Sequence, residues 1–88
     1  MPTISYFYGI AIRMYYNDHN PPHFHAVYGR SQALIRIADA VVIAGQLPPT
    51  ALRLVSEWTA LRRMELEANW ELGREAKPFE KIAGPDNE

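Results

Sequence analysis

The sequence predicts an α+β domain in which a small antiparallel sheet of about four strands packs against one long C-terminal helix. Short runs of β-branched and aromatic residues, separated by turn residues, fill the first half of the chain. After Pro48 the apolar residues recur at helical spacing instead. Strands followed by a helix that covers one face of their sheet give a two-layer domain. The chain has 88 residues, and we expect a single domain over 1–82 followed by a flexible tail over 83–88.

The strands are predicted from composition and from the alternation of side chains. In the run 10–16, Ile10, Ile12 and Met14 alternate with other residues, which is the period of two that a half-buried strand requires. Residues 17–22 are predicted to form a loop, because paired prolines cannot donate hydrogen bonds to a strand ladder. The predicted strands are residues 4–8, 10–16, 23–28 and 32–37, and the apolar run 40–44 is a candidate for a short last strand.

The helix is predicted to begin at the sequence Pro-Pro-Thr at 48–50. Since no Gly or Pro interrupts the chain before Gly73, the helix is expected to run to about residue 72, or to break into two helices near residue 69. Trp58 is expected to be buried between helix and sheet. The apolar residues at helical spacing form one stripe, which consists of Ala51, Leu54, Val55, Trp58, Leu61 and Ala68.

Glu65 falls near the centre of this stripe when each residue is given about 100° of rotation. A carboxylate in an apolar stripe must be paired or must lie beyond the edge of the core. Two interpretations follow. Either the helix overhangs the sheet and leaves Glu65 solvated, or Glu65 pairs with a histidine or arginine of the sheet.

Composition narrows the function classes. The formal net charge is −1, so the chain lacks the strongly basic field of a general DNA-binding protein. There are no cysteines, which excludes disulfides, thiolate nucleophiles and cysteine-based zinc sites. The N-terminal residues do not resemble a signal peptide, and no apolar run is long enough to span a membrane. We therefore expect a cytoplasmic protein.

The densest polar cluster of the sequence lies at 18–25, where all three histidines occur. His23 and His25 are two residues apart on a predicted strand, so their imidazoles project from the same face. They are candidate ligands for a divalent metal ion, with His19 or Asp18 from the loop as a third ligand. They are equally candidates for a general acid and base, because histidine titrates near neutral pH. In a third interpretation the cluster is structural or binds a partner. The partner-binding candidates are Asp18, His19, Asn20, His23 and His25.

Two arginines extend the candidate site. If the strands pair in sequence order, Arg13 and Arg36 share one face with the two histidines, together with Tyr15. Such a cationic and aromatic surface would suit a phosphate or a carboxylate. Arginines on a solvent-facing sheet surface also need no ligand, so this alternative stays open.

The sequence Asp-His-Asn-Pro-Pro-His-Phe-His-Ala at 18–26 resembles a motif of small prokaryotic proteins called the domain-of-unknown-function 4160 family. The resemblance covers residues 1–82. The tail departs from the family pattern, because Ala-Gly-Pro at 83–85 replaces the usual Pro-Leu pair. The family has no established activity, and its members are often encoded beside a second small protein, which implies an interaction role. Further similar segments are 1–4, 45–48, 65–70 and 81–82.

Three function hypotheses follow. The first is a cytoplasmic prokaryotic interaction protein, one component of a two-protein, toxin–antitoxin-like module, which binds another small protein encoded nearby through the His-rich loop and the adjoining sheet. The second is a small hydrolase acting on RNA, with His23 and His25 as acid–base groups or metal ligands and Arg13 or Arg36 holding phosphate. The third is a metal-carrying or sensing protein. The sequence contains no nucleophile motif and no Gly-rich phosphate loop.

Overall fold

The computed structural model describes residues 2–85 and confirms the α+β class. Within these residues the sheet has five strands rather than about four, because the apolar run near residue 40 does contribute the last strand. Strand β2 is shorter than the predicted run 10–16, since the chain leaves the sheet after Arg13. The elements are β1 Thr3–Phe7, β2 Ile10–Arg13, β3 His23–Tyr28, β4 Ser31–Arg36, β5 Val42–Gln46 and α1 Pro49–Arg74.

The five strands lie in the order β1-β2-β3-β4-β5, each antiparallel to its neighbours. Short connections allow this meander. Between β1 and β2, Tyr8 and Gly9 have φ values of 51° and 79°, and two-residue hairpin turns require such left-handed backbone. The hairpin predicted at 29–31 is also present, since β3 and β4 pair from His23↔Arg36 to Tyr28↔Ser31.

The strand register divides the sheet into two faces, because side chains directly opposite each other on antiparallel strands share a face. One face packs against α1 and is buried at its centre, where the ring of Trp58 lies 6.0 Å from that of Phe24. The other face, called the open face below, is partly exposed. It consists of three cross-strand rows: the first with Tyr6, Ala11, Val27, Gln32 and Gln46, the second with Thr3, Arg13, His25, Leu34 and Ala44, and the third with His23 and Arg36.

Helix α1 is kinked at Arg62, whose φ of −114° and ψ of 19° are not helical. The predicted apolar stripe is wrong in its second half, since Leu61 is 75% exposed and Ala68 is exposed. Polar residues cause this error. Thr59 and Asn69 belong to the buried face. A stripe predicted from apolar residues alone leaves these two polar residues out. The residues buried along α1 are Ala51, Val55, Trp58, Thr59, Leu66, Asn69, Trp70 and Gly73. Helix α1 is the one helix in the described part of the chain, and it has no stretch that is long and apolar enough to cross a membrane.

Glu65 lies beside this buried face and is exposed. Nη1 of Arg62, one turn earlier on the same helix, donates a hydrogen bond to Oε1 of Glu65 at 3.3 Å. The interpretation in which Glu65 pairs with a histidine or arginine of the sheet is therefore wrong, and the solvated alternative holds.

The chain that follows α1, residues 75–85, runs back along the edge of the sheet and is called the return segment below. The backbone N–H of Ile82 donates to the carbonyl of Ile4 in β1 at 2.8 Å. Asn69 holds this return segment on the helix, because its Nδ2 donates to the carbonyl of Glu80 at 2.8 Å and its Oδ1 accepts from the N–H of Glu80 at 2.9 Å. The return segment thus covers the β1 edge, where an unpaired strand would otherwise be exposed.

Trp58 is 2% exposed, as predicted. Its Nε1 donates to the carbonyl of Ala83 at 2.9 Å, and Gly84 is buried against Phe7. These contacts involve the first residues of the segment 83–88 that we expect to be a flexible tail. Residues 86–88 of that segment lie outside the described residues.

Candidate functional site

The loop between β2 and β3 brings the polar cluster together. It turns at Asn17, whose φ is 55°, and returns through the cis peptide bond between Asn20 and Pro21. The N–H of Asn17 donates to the carbonyl of Gly73 at 3.3 Å, so the loop is anchored on the last turns of α1. The cluster consequently lies at the end of the sheet where this loop meets the C-terminal half of the helix.

Asp18, His23 and His25 converge there, and these three residues are called the cluster below. Oδ2 of Asp18 lies 3.1 Å from Nε2 of His23 and 3.5 Å from Nε2 of His25. The three candidate ligand atoms, one from each residue, all lie within 4.8 Å of one another. The side chain of His23 is 3% exposed, whereas those of His25 and Asp18 are 15% and 17% exposed. The cluster is therefore closed on its inner side and accessible at its outer edge.

The backbone fixes the tautomer of His23. Its Nδ1 lies 2.8 Å from the carbonyl oxygen of Pro21, and a carbonyl oxygen only accepts hydrogen bonds, so Nδ1 is the donor. In the neutral ring Nε2 then carries a lone pair, which faces Asp18. The ring of Trp70 lies 5.4 Å from the ring of His23 and shields it from solvent.

His25 is held by neighbours on other elements. Its Nδ1 lies 3.2 Å from the side-chain amide of Gln32 on β4, and the ring of Tyr15 lies edge-on at 4.5 Å. Burial is the main cause that lowers the pKa of His25; the nearby His23 lowers it further, while Asp18 opposes the effect. Its Nε2 is buried and has no hydrogen-bond partner among residues 2–85.

His19 and Asn20 do not join Asp18, His23 and His25, although all five residues lie within the polar segment 18–25 of the sequence. The side chain of His19 is 93% exposed, its Nδ1 lies 3.6 Å from the other carboxylate oxygen of Asp18, Oδ1, and its ring lies 6.3 Å from that of His23. Asn20 is exposed on the loop. The structure thus joins Asp18, rather than His19, with His23 and His25.

The two candidate arginines flank the histidines in the strand register. Arg13 is opposite His25, and Arg36 is opposite His23. Arg36 is already occupied, because its Nε and Nη2 donate to the two carboxylate oxygens of Asp39 at 2.9 and 2.7 Å. These bonds raise the pKa of Arg36 and lower that of Asp39. Nε of Arg13, in contrast, has no hydrogen-bond partner within the described segment.

Sequence reasoning missed three partners that position the imidazoles: the carbonyl of Pro21, the amide of Gln32 and the ring of Trp70. Gln32 and Trp70 are distant from the histidines in sequence, so only the register of β3 and β4 and the docking of α1 bring them close. The spacing of His23 and His25 on a strand was the available signal for the pair itself.

The arrangement has two chemical capacities. A carboxylate beside an imidazole orients the ring and favours its protonated form, as in acid–base sites. Two imidazoles and a carboxylate are also a donor set for a divalent transition metal. Both capacities require the convergence of Asp18 with His23 and His25.

Comparisons with known proteins give one match, and it covers both this cluster and most of α1. No curated protein and no solved structure matches the chain. The family model described as Domain of unknown function (DUF4160) matches residues 9–71. The match extends over more than half of the sequence, and the chain therefore belongs to the DUF4160 family.

Proposed function

We propose that the protein binds another small protein through the open face of its sheet and the adjoining β2–β3 loop, as one component of a two-protein, toxin–antitoxin-like module in the prokaryotic cytoplasm. The observation that carries the proposal is the open face itself. All five strands contribute to it, and its central positions are the half-buried Val27 and Leu34.

The composition of the open face favours a protein partner over a nucleic acid. Tyr6 is 60% exposed on this face, and tyrosine is enriched in protein interfaces. Among the residues of its rows, two carry a formal charge at neutral pH, Arg13 and Arg36, and the charge of Arg36 is already balanced by Asp39. A surface that binds phosphates would carry several cations.

Arg13 indicates the chemistry of the partner. It lies opposite His25 and is half-buried, and its Nε is buried without a hydrogen-bond partner within residues 2–85. A carboxylate on the partner would bond to this guanidinium in a charge-assisted contact. We therefore expect the partner to present an apolar surface with one acidic side chain, and the exposed loop residues His19 and Asn20 to contact its rim.

The test is co-purification with the product of the neighbouring gene. Val27→Lys places a charge at the centre of the open face and is expected to weaken binding by about tenfold or more, as changes at the centre of an interface do. Met64→Lys is the matched control, because Met64 is 84% exposed on α1, away from the sheet. Melting curves establish that both variants fold. Equal binding by both variants and the unmodified protein would contradict the proposal.

A second candidate function, hydrolysis of RNA, has support from one observation. Asp18 contacts the imidazoles of His23 and His25. Arg13, whose Nε has no hydrogen-bond partner among the described residues, lies opposite His25. An acid–base pair and a cation that can bind phosphate are therefore adjacent. Incubation with a structured RNA tests this function, and cleavage that is lost in Asp18→Asn and His25→Gln but retained in His19→Gln would support it. Intact RNA at high protein concentration would exclude it for that substrate.

A further inference from the structure

We propose that Asp18, His23 and His25 form a binding site for one divalent transition-metal ion. The site lies at the edge of the proposed partner-binding surface, because His25 belongs to the open face and Asp18 to the β2–β3 loop, but metal binding does not require the partner. In tetrahedral coordination with bond lengths near 2.1 Å, neighbouring ligand atoms are roughly 3.4 Å apart. Oδ2 of Asp18 lies 3.1 and 3.5 Å from the two Nε2 atoms, so two of the three ligand separations already match.

The hydrogen bonds of the cluster leave a position that a cation can occupy. His23 uses its Nδ1 proton on the carbonyl of Pro21, so its Nε2 either carries a second proton, which it donates to Asp18, or has a lone pair that can bind a cation. Nε2 of His25 is buried and lacks a hydrogen-bond partner in the described part of the chain. A cation bound between these atoms would satisfy all three at once.

The outer partners of the two rings are those that metal-binding histidines use. A ligating imidazole normally donates its second N–H to a carbonyl, carboxylate or amide oxygen, which fixes the tautomer and the ring orientation. Pro21 provides a carbonyl to His23. The amide nitrogen of Gln32 lies 3.2 Å from Nδ1 of His25; metal binding through Nε2 requires this amide to be turned by 180°, so that its oxygen accepts from Nδ1–H.

The donor set selects the class of metal. Two imidazole nitrogens and one carboxylate oxygen suit zinc, nickel, cobalt or iron(II), whereas magnesium and calcium prefer sites made of oxygen atoms alone. Three protein ligands leave at least one coordination position for water or for another group. The partial exposure of Asp18 and His25, at 17% and 15%, places that position at the outer edge of the cluster.

The experiment is a calorimetric titration of the untagged, chelator-treated protein with zinc, nickel and magnesium. We expect one zinc or nickel ion per chain, and magnesium binding at least about 100-fold weaker. Cobalt(II) provides a spectroscopic readout, because a low-symmetry site with two nitrogen ligands gives visible absorption bands that zinc then abolishes. A stoichiometry well below one ion per chain, or equal affinity for magnesium, would overturn the proposal.

Three variants assign the ligands. Asp18→Asn and His25→Gln keep the size of partly exposed side chains and are expected to weaken zinc binding more than about 100-fold, since loss of an outer partner alone costs about 10–100-fold. His19→Gln is the matched control, because His19 lies outside the cluster at 93% exposure, and its affinity should change less than about threefold. Far-UV circular dichroism of the metal-free variants shows that they fold. Zinc binding that survives Asp18→Asn and His25→Gln, or that disappears in His19→Gln, would overturn the assignment.

Discussion

At the scale of single residues, the Nδ1 atoms of His23 and His25 matter as much as the Nε2 atoms that face Asp18. Each Nδ1 has a defined partner, the carbonyl of Pro21 for one ring and the amide of Gln32 for the other. An imidazole held through Nδ1 cannot rotate away from the cluster. The cluster is therefore organised by residues that take no direct part in it.

The first prediction concerns Gln32. Gln32→Ala removes the partner of His25 Nδ1 without changing any proposed ligand, and it is expected to weaken zinc binding about 10–100-fold. Gln46→Ala is the matched control, because Gln46 is the cross-strand neighbour of Gln32 on the same open face. Zinc titration of both variants measures the effect. Equal affinities in the two variants would show that Gln32 does not position His25.

The second prediction concerns Trp58, which is 2% exposed and lies 5.0 Å from the ring of Phe7. Trp58→Ala is expected to lower the free energy of unfolding by about 3–5 kcal/mol, because it leaves a cavity between helix and sheet. Trp58→Phe keeps a ring but removes the hydrogen bond to the carbonyl of Ala83, so its loss should be smaller. Urea denaturation measures both, and an unchanged midpoint for Trp58→Ala would contradict the packing described above.

At the scale of secondary structure, the strands were easier to predict than the buried face of the helix. Side chains of a strand alternate between the two faces of the sheet, and this pattern between flanking turn residues located β3 at its observed bounds, 23–28. On α1 the buried face includes Asn69, which is satisfied by two hydrogen bonds to the backbone of Glu80. No local pattern shows that a segment eleven residues later will satisfy this amide. The predicted stripe therefore included the exposed apolar residues Leu61 and Ala68 in place of the buried polar ones.

The candidate site was also predictable only in part: the strand residues were, and the loop residues were not. The spacing of His23 and His25 on a strand indicated that they share a face, and the register confirms that Arg13 and Arg36 are their cross-strand neighbours. The choice between Asp18 and His19 was not predictable. It depends on the path of the loop, which adjacent residues of similar polarity do not reveal.

The third prediction concerns the attachment of β5. Gly45 has a φ of 75°, and a Cβ there would collide with the backbone carbonyl of Gln32 on β4. Gly29 also has a positive φ, of 58°, but nothing lies within 4 Å of its Cβ position. Gly29→Ala is thus the matched control and should cost about 1–2 kcal/mol, the backbone strain alone.

Gly45→Ala should cost about 1–3 kcal/mol more than this control, because the collision adds to the strain. It should also speed the hydrogen exchange of β5 amides selectively. Denaturant midpoints and amide exchange measure the two effects. Equal costs for the two substitutions would mean that β5 is not held against β4 at Gly45.

At the scale of the whole molecule, the fold concentrates its stability on one side of the sheet and its polar chemistry on the other. Helix α1 and the return segment bury one face and cover the β1 edge, where Ile82 bonds to Ile4. The open face and the end of the sheet near His23 carry no such layer among the described residues, apart from the contact with Trp70. A partner can therefore bind the open face without disturbing the core.

The last prediction couples the metal site to the stability of the molecule. Zinc at 100 times its dissociation constant should stabilise the folded state by about 2.7 kcal/mol through mass action. A domain of this size gains about 4–8 °C in melting temperature per kcal/mol, so the melting temperature should rise by roughly 10–20 °C at pH 7.5.

The sign of the pH dependence follows from the ligands. Zinc binds unprotonated imidazoles, so protons compete with it, and the gain in melting temperature should shrink as the pH falls below about 6. Burial lowers the pKa of His25, so this ring stays available to zinc at a lower pH than an exposed histidine would. Thermal melts with zinc or with chelator, from pH 7.5 to pH 5, measure the gain. A gain that is undiminished at pH 5, or that persists in Asp18→Asn, would mean that zinc stabilises the protein from a site other than Asp18, His23 and His25.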